Sequence, residues 1–151
     1  MGVKEKFIKK YGKYAILVER ATGFPAKLLL VQAALETGWG RYVKGNNLYG
    51  IKDTELLEGE VWAETQEYTK EGWKKVVDDF EVFKSPSESM LFLVAMYRHS
   101  PRYKGLYELA QKDYKAFFEE LEKRGYATDP GYAEKLTSIY KHFPKNWQSL
   151  I

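Results

Sequence analysis

The sequence predicts a mainly helical (α+β) domain with one β-hairpin projecting between its second and third main helices. Three observations predict it. Apolar residues recur at helical spacing through most of the chain. Only residues 60 to 83 change to a β-rich composition, around a turn-forming TKEG. Cap residues, followed by Pro or answered by a terminal Gly, mark the boundaries of the later helices.

Residues 3 to 21 place Val3, Phe7, Ile8, Tyr11, Ala15 and Val18 on one face, with Lys and Glu between them, and predict an amphipathic helix. Pro25 suits the first position of a second helix over about 25 to 37. From Leu28 to Leu35 that helix has almost no polar face, so it belongs at the centre of the fold. Gly38 and Gly40 stop it. KGNNLYGIK, with two Asn between glycines, reads as a structured turn. The hairpin lobe follows at about 60–83. A hairpin alone is marginal in water, so it must pack on the helices, and that junction makes a cleft. Ser85, Pro86 and Glu88 form a capping-box start for a helix running to about His99. GLYELA is a short helical piece. DYKAFFEELEKRG is another, with Asp113 as cap and Gly125 as stop. TDPGYAEKLTSIYKHF repeats the pattern, with Asp129 as cap and Pro130 first in the helix.

The length, 151 residues, predicts one domain over 1–151. No repeat, low-complexity segment or linker interrupts it. A net charge of +3 without a dense Lys/Arg stripe argues against a nucleic-acid partner. There is no cysteine, which excludes disulfides, thiol catalysis and zinc–thiolate sites. No run approaches membrane-spanning length, and no secretory leader is visible at the N-terminus. Aromatics reach 16%, suiting either a large aromatic core or stacking on sugar rings.

The clearest chemical signal is Glu36, at the end of the least polar helix. Apolar neighbours disfavour its charged form, and so does the negative end of the helix. A carboxyl kept protonated near neutral pH is a general acid. Trp39 follows between two glycines; Asn47 and Tyr49 follow in the turn. Acid, amide and aromatic groups together describe a carbohydrate site better than a phosphate or metal site. Core packing is the competing reading of Trp39, and a solvated or ion-paired glutamate that of Glu36.

QAALETGWGRYVKGNNLYGIK, EVFKSPSES and RGYATDPGYAEKL, in this order, resemble the bacterial N-acetylglucosaminidases of glycoside hydrolase family 73, whose signature is approximately QAALESGWG, NNLFGIK and GYATDPxYAxKL. The family includes flagellar hydrolase domains, autolysins and phage lysins. The resemblance covers most of the chain. It implies a lysozyme-like helical lobe and a β-hairpin lobe around a peptidoglycan groove, and an endo-β-N-acetylglucosaminidase that cleaves the β-1,4 bond from N-acetylglucosamine to N-acetylmuramic acid. Glu36 falls on the family's general acid. Glu67, in TQEY, matches its second carboxylate, and Tyr126 a tyrosine near the reacting sugar. Trp39, Asn47 and Tyr49 are the expected substrate contacts. Tyr49 departs from the usual Phe by adding a hydroxyl, and Thr37 from the usual Ser.

Strand alternation puts Val61, Ala63, Thr65 and Glu67 on one face and Trp62, Glu64, Gln66 and Tyr68 on the other, so Glu64 and Glu67 cannot both face the cleft; the resemblance points to Glu67, with Glu64 the runner-up. Glu67 could activate water, attack carbon, or support attack by the substrate's own 2-acetamido group; the last is the expected route. No metal or cofactor is expected, and the expected state is a monomer acting on glycan strands at the cell wall, outside the cell or in the periplasm. A phage lysin released by a holin would account for the missing leader. A muramidase or lytic transglycosylase of similar fold, and a non-catalytic glycan-binding module, are the alternatives. His99 and His142 read as helix-end histidines, Asp78 and Asp79 as a solvated strand edge, and Arg102 and Lys104 as surface charge.

Overall fold

Helix α1, Val3–Thr22, turns its Phe7, Ile8, Tyr11, Ala15 and Val18 inward. It ends at Gly23, whose left-handed backbone (φ 82°) lets its N–H reach the Glu19 carbonyl at 2.7 Å. The computed structural model describes residues 1–52 and 59–151. Helix α2 spans Ala26–Thr37, one residue shorter than expected, because Pro25 sits outside it in extended backbone (ψ 126°). Leu28 to Ala34 are all buried, as an apolar surface with no polar side demands. Helix α2 packs against α1 and against the last α-helix, α6 (Tyr132–Lys141).

Strands β1 (Glu60–Thr69) and β2 (Gly72–Glu81) form the antiparallel hairpin, with Thr69 opposite Gly72 and Lys70–Glu71 as the turn. Burial alternates along β1 as the pleat requires: Val61, Ala63, Thr65 and Glu67 are half-buried, while Trp62, Glu64, Gln66 and Tyr68 are exposed. The hairpin is held at both ends. At its base the Glu81 N–H donates to the Ile51 carbonyl (2.9 Å) and the Phe83 N–H to the Gly45 carbonyl (2.8 Å). Near its tip the Tyr68 N–H donates to Thr128 Oγ1 (2.9 Å).

Ser85 caps α3 (Pro86–His99) by accepting from the Glu88 N–H at 3.2 Å. A 3-10 turn, Pro101–Tyr103, leads to α4 (Leu106–Ala110) and then α5 (Tyr114–Lys123), which Asp113 caps through the Ala116 N–H. Helix α6, Tyr132–Lys141, begins two residues later than expected. Asp129 Oδ1 takes the Gly131 N–H at 2.8 Å, so a side-chain-closed turn precedes the helix and Asp129 caps that turn instead. A 3-10 turn, Trp147–Leu150, packs back on α1. Among the described residues no helix is long and apolar enough to cross a membrane.

Candidate active site

Helix α2 delivers Glu36 to the floor of a cleft of about 690 Å³ between the helical lobe and the hairpin. Tyr49, Lys52, Glu67, Arg102, Tyr126 and Tyr132 are among its lining residues. Beyond Gly50 the space continues into a smaller arm of about 240 Å³, bordered by Glu36, Gly50, Tyr42, Lys44, Glu64 and Phe80. Glu36 borders both arms. Gly50 makes that approach possible: it adopts φ 63°, and a methyl group there would stand 3.3 Å from Glu36 Oε2.

Glu36 is half-buried, and its carboxyl is pushed up to about 7. Desolvation is the main cause; the negative charge of Glu67 adds to it, and the hydrogen bond from Tyr132 opposes it. Tyr132 Oη donates to Glu36 Oε1 at 2.7 Å. Tyr132 is itself buried and receives a hydrogen bond from Gln32 Nε2 at 3.3 Å. Gln32 lies one turn before Glu36 on α2, so both side chains share a helix face. Its carbonyl oxygen accepts from Tyr97 Oη at 2.9 Å. Neither Tyr132 nor Gln32 is among the residues the sequence singles out. The signals were a lone amide inside an apolar run, four residues before the glutamate, and a second tyrosine after the ATDP turn.

Glu67 lines the same cleft as Glu36, whereas Glu64 borders only the smaller arm, where it pairs with Lys75 at 3.7 Å. Glu67 Oε1 meets Lys52 Nζ at 3.3 Å, and Oε2 accepts from Thr128 Oγ1 at 2.8 Å. Lys52 also pairs with Asp78 at 2.9 Å, so Asp78 helps hold the lysine that holds Glu67.

Several expected contacts take other roles. Trp39 is not among the described residues lining the cleft; it packs edge-on against Phe7 and stacked on Phe143, at 5.5 and 5.8 Å between ring centres. Its left-handed backbone (φ 58°), just after α2, turns the indole toward α1 and the C-terminal segment. Asn47 borders the smaller arm, but its amide is fully used. Oδ1 accepts from the Tyr49 and Ile51 N–H groups, and Nδ2 donates to the Ile51 and Glu81 carbonyls. It is a strut joining the turn to β2. Tyr49 borders the cleft but its side chain is buried, and its hydroxyl donates to the Leu29 carbonyl at 3.0 Å. Tyr126 lines the cleft and lies nearly parallel to Tyr132 (5.8 Å, 16°), and its hydroxyl proton goes to the Tyr49 carbonyl at 2.9 Å. Arg102, expected as plain surface charge, lines the cleft while binding the carbonyls of Arg124 and Gly125. Among the described residues no group of three His, Cys, Asp or Glu could hold a metal ion.

Comparison with known proteins bears on the family and the fold. The family model for glucosaminidase, described as mannosyl-glycoprotein endo-beta-N-acetylglucosaminidase, matches residues 12–145. The chain is 36% identical over 146 residues to the peptidoglycan hydrolase FlgJ of Salmonella typhimurium, which aligns 91% of this chain with 46% of that protein. It is 33% identical over 140 residues to the exo-glucosaminidase LytG of Bacillus subtilis, covering 87% of this chain and 48% of that one. It thus spans about half the length of these relatives. Its fold matches the crystal structure of a peptidoglycan hydrolase mutant from Sphingomonas sp. A1 with a TM-score of 0.82 and 30% identity, covering 97% of each chain.

Proposed function

Because the chain belongs to the glucosaminidase family, we propose that it is a peptidoglycan hydrolase cleaving the β-1,4 bond from N-acetylglucosamine to N-acetylmuramic acid, with Glu36 as general acid. The observation that carries this reading is the position of Glu36: a carboxyl with a pKa pushed up to about 7, between two arms of one cleft. A glycan strand can lie along both arms and place its scissile oxygen over Glu36. Near pH 7 a substantial share of the enzyme then holds the proton that the departing oxygen needs. As the bond from the anomeric carbon lengthens, Glu36 gives that proton to the leaving sugar.

Positive charge develops at the anomeric carbon in the same step. Glu67 stabilises it from the hairpin side. Both Glu67 oxygens already accept hydrogen bonds, from Lys52 and Thr128, which suits steadying a charge more than attacking carbon. The 2-acetamido oxygen of the substrate therefore makes the attack, closing a ring that water opens; the water's proton returns to Glu36. Tyr126, half-buried in the cleft lining, forms the wall against which the sugar rests. Every group named comes from one chain, so a monomer suffices, and it acts at the bacterial cell wall.

The test is mass spectrometry of borohydride-reduced products after digestion of purified peptidoglycan. Reduced N-acetylglucosamine at the new chain ends is expected, with retained configuration in the first product by NMR. Reduced muramic acid or 1,6-anhydro ends would assign the chain to a muramidase or lytic transglycosylase, and an inverted first product would remove the acetamido step.

A further inference from the structure

The cleft leaves unexplained why a buried polar chain runs from the core to Glu36. Tyr97 Oη, Gln32 and Tyr132 Oη link end to end, with contacts of 2.9, 3.3 and 2.7 Å, and the last contact is Glu36 Oε1. Gln32 and Tyr97 are at most 1% exposed, and Tyr132 is buried. We infer that Tyr97 and Gln32 are positioning residues whose hydrogen bonds fix the direction of this relay, so that Glu36 accepts on Oε1 and carries its acid proton on Oε2. This deepens the proposed role of Glu36 and rests on it.

The argument is one of donor and acceptor counts. A buried tyrosine hydroxyl has one proton, and at Tyr97 it goes to Gln32 Oε1. Among the described residues Tyr97 Oη has no other hydrogen-bond acceptor, so its proton needs Gln32 Oε1, and this fixes the amide orientation. The NH2 end then faces Tyr132 and donates to its hydroxyl oxygen. Tyr132 therefore turns its single proton outward, to Glu36 Oε1. An oxygen already accepting there is the poorer place for the acid proton. Oε2, which takes no hydrogen bond from Tyr132 and lies beside Gly50, a residue bordering both arms, is the better one. Burial holds both tyrosines of the relay, Tyr97 and Tyr132, well above the usual tyrosine range, so the relay does not ionise within the working range.

With the amide reversed, Tyr132 would donate to Gln32 and accept from Glu36 instead. That arrangement favours the protonated acid on Oε1, facing away from the leaving oxygen. Tyr97, which does not hydrogen-bond to Glu36, is thus the residue that disfavours it.

Other groups face Glu36 and stay constant in the test. They are Glu67 on β1, Tyr49 and Lys52 before the hairpin, Arg102 and Tyr103 in the 3-10 turn after α3, and Tyr126 and Asp129 before α6, with Tyr42, Lys44 and Glu64 in the smaller arm.

The experiment is a carbon-13 NMR titration of the Glu36 carboxyl in the full chain labelled with [δ-¹³C]glutamate, assigned by the resonance missing from E36Q. Y132F should raise the titration midpoint by about one to two pH units, the worth of a hydrogen bond to a charged group. Y97F should raise it by about half to one pH unit, the worth of the neutral bond that locks the amide. Y97F/Y132F should move it no further than Y132F alone, because Tyr97 acts only through Tyr132. A Y97F midpoint equal to wild type, or a double variant showing the sum of both shifts, overturns the inference; a residue needed only for packing would lower Tm and leave the midpoint alone. A second readout needs no substitution in the relay. The Gln32 side-chain amide resonances of the wild type should titrate with the Glu36 midpoint, and resonances indifferent to it overturn the inference equally. Both readouts concern the carboxyl itself, so they stand apart from whether E36Q abolishes wall hydrolysis, which tests the acid role.

Discussion

Replacing Glu36 by Gln should make the protein more stable above neutral pH while removing its proposed chemistry. The folded state holds the Glu36 proton up to about pH 7, whereas the unfolded chain releases it near the ordinary value of 4.5. Below pH 4.5 both states are protonated and the carboxyl costs nothing. Between pH 4.5 and 7 the folded state binds more protons than the unfolded one, so wild-type stability falls as pH rises. Above pH 7 both states are ionised and the cost is complete. A gap of about 2.5 pH units at about 1.4 kcal/mol each sets a ceiling of about 3.5 kcal/mol. Water in the cleft reaches the half-buried carboxyl and keeps the real figure below that ceiling. Glutamine keeps the shape, and its carbonyl can still accept from Tyr132, so E36Q removes the ionisation with little else. Urea denaturation of both proteins at pH 4, 6 and 8.5 reads the difference. E36Q should match the wild type at pH 4 and exceed it by about 2–3 kcal/mol at pH 8.5, which corresponds to several degrees in Tm for a chain this size. Other titrating groups are common to both proteins and cancel. Parallel stability curves across this range would show that Glu36 ionises as it does in water, and would refute the reasoning.

Two further perturbations separate structural from chemical roles. G50A forces a methyl group into left-handed backbone, 3.3 Å from Glu36 Oε2; it should cost about 1–2 kcal/mol of stability and reduce kcat by more than about tenfold through the displaced acid, and full kcat in a measured turnover assay would count against the close approach. N47A removes four hydrogen bonds from the base of the hairpin; it should lower the urea midpoint by the equivalent of about 2–4 kcal/mol while leaving KM of the folded fraction unchanged, and a raised KM at unchanged stability would restore Asn47 as a substrate contact.

The elements were legible because each carries a local signal. The Ser85 cap with Pro86, the Asp113 cap and the TKEG turn all lie where the chain folds as they suggest. Alternation separated Glu67 from Glu64, and the match of TQEY to the family pattern chose Glu67, which lies on the half-buried face of β1. The position of Glu36 was legible too, since a carboxylate ending an apolar helix has few places to go. Side-chain partners were not. Whether Trp39 faces a sugar or Phe143 depends on the C-terminal segment, over a hundred residues away in sequence. The hydroxyl that reaches Glu36 belongs to Tyr132 rather than Tyr126 because a turn closed by Asp129 delays α6 and brings its first residue against α2. A count of polar atoms would have helped with Asn47, since an Asx turn between glycines is a frequent way to fill an amide.

The central claim is that Glu36 hands its proton to a departing sugar oxygen, and dependence on the leaving group tests it most directly. Wild type and E36Q should be compared on peptidoglycan and on an N-acetylglucosamine oligosaccharide bearing a dinitrophenyl leaving group, which departs without a proton. E36Q should lose about 10²–10⁴-fold on peptidoglycan and little on the dinitrophenyl substrate. An equal loss on both, or no loss on peptidoglycan, would contradict the claim.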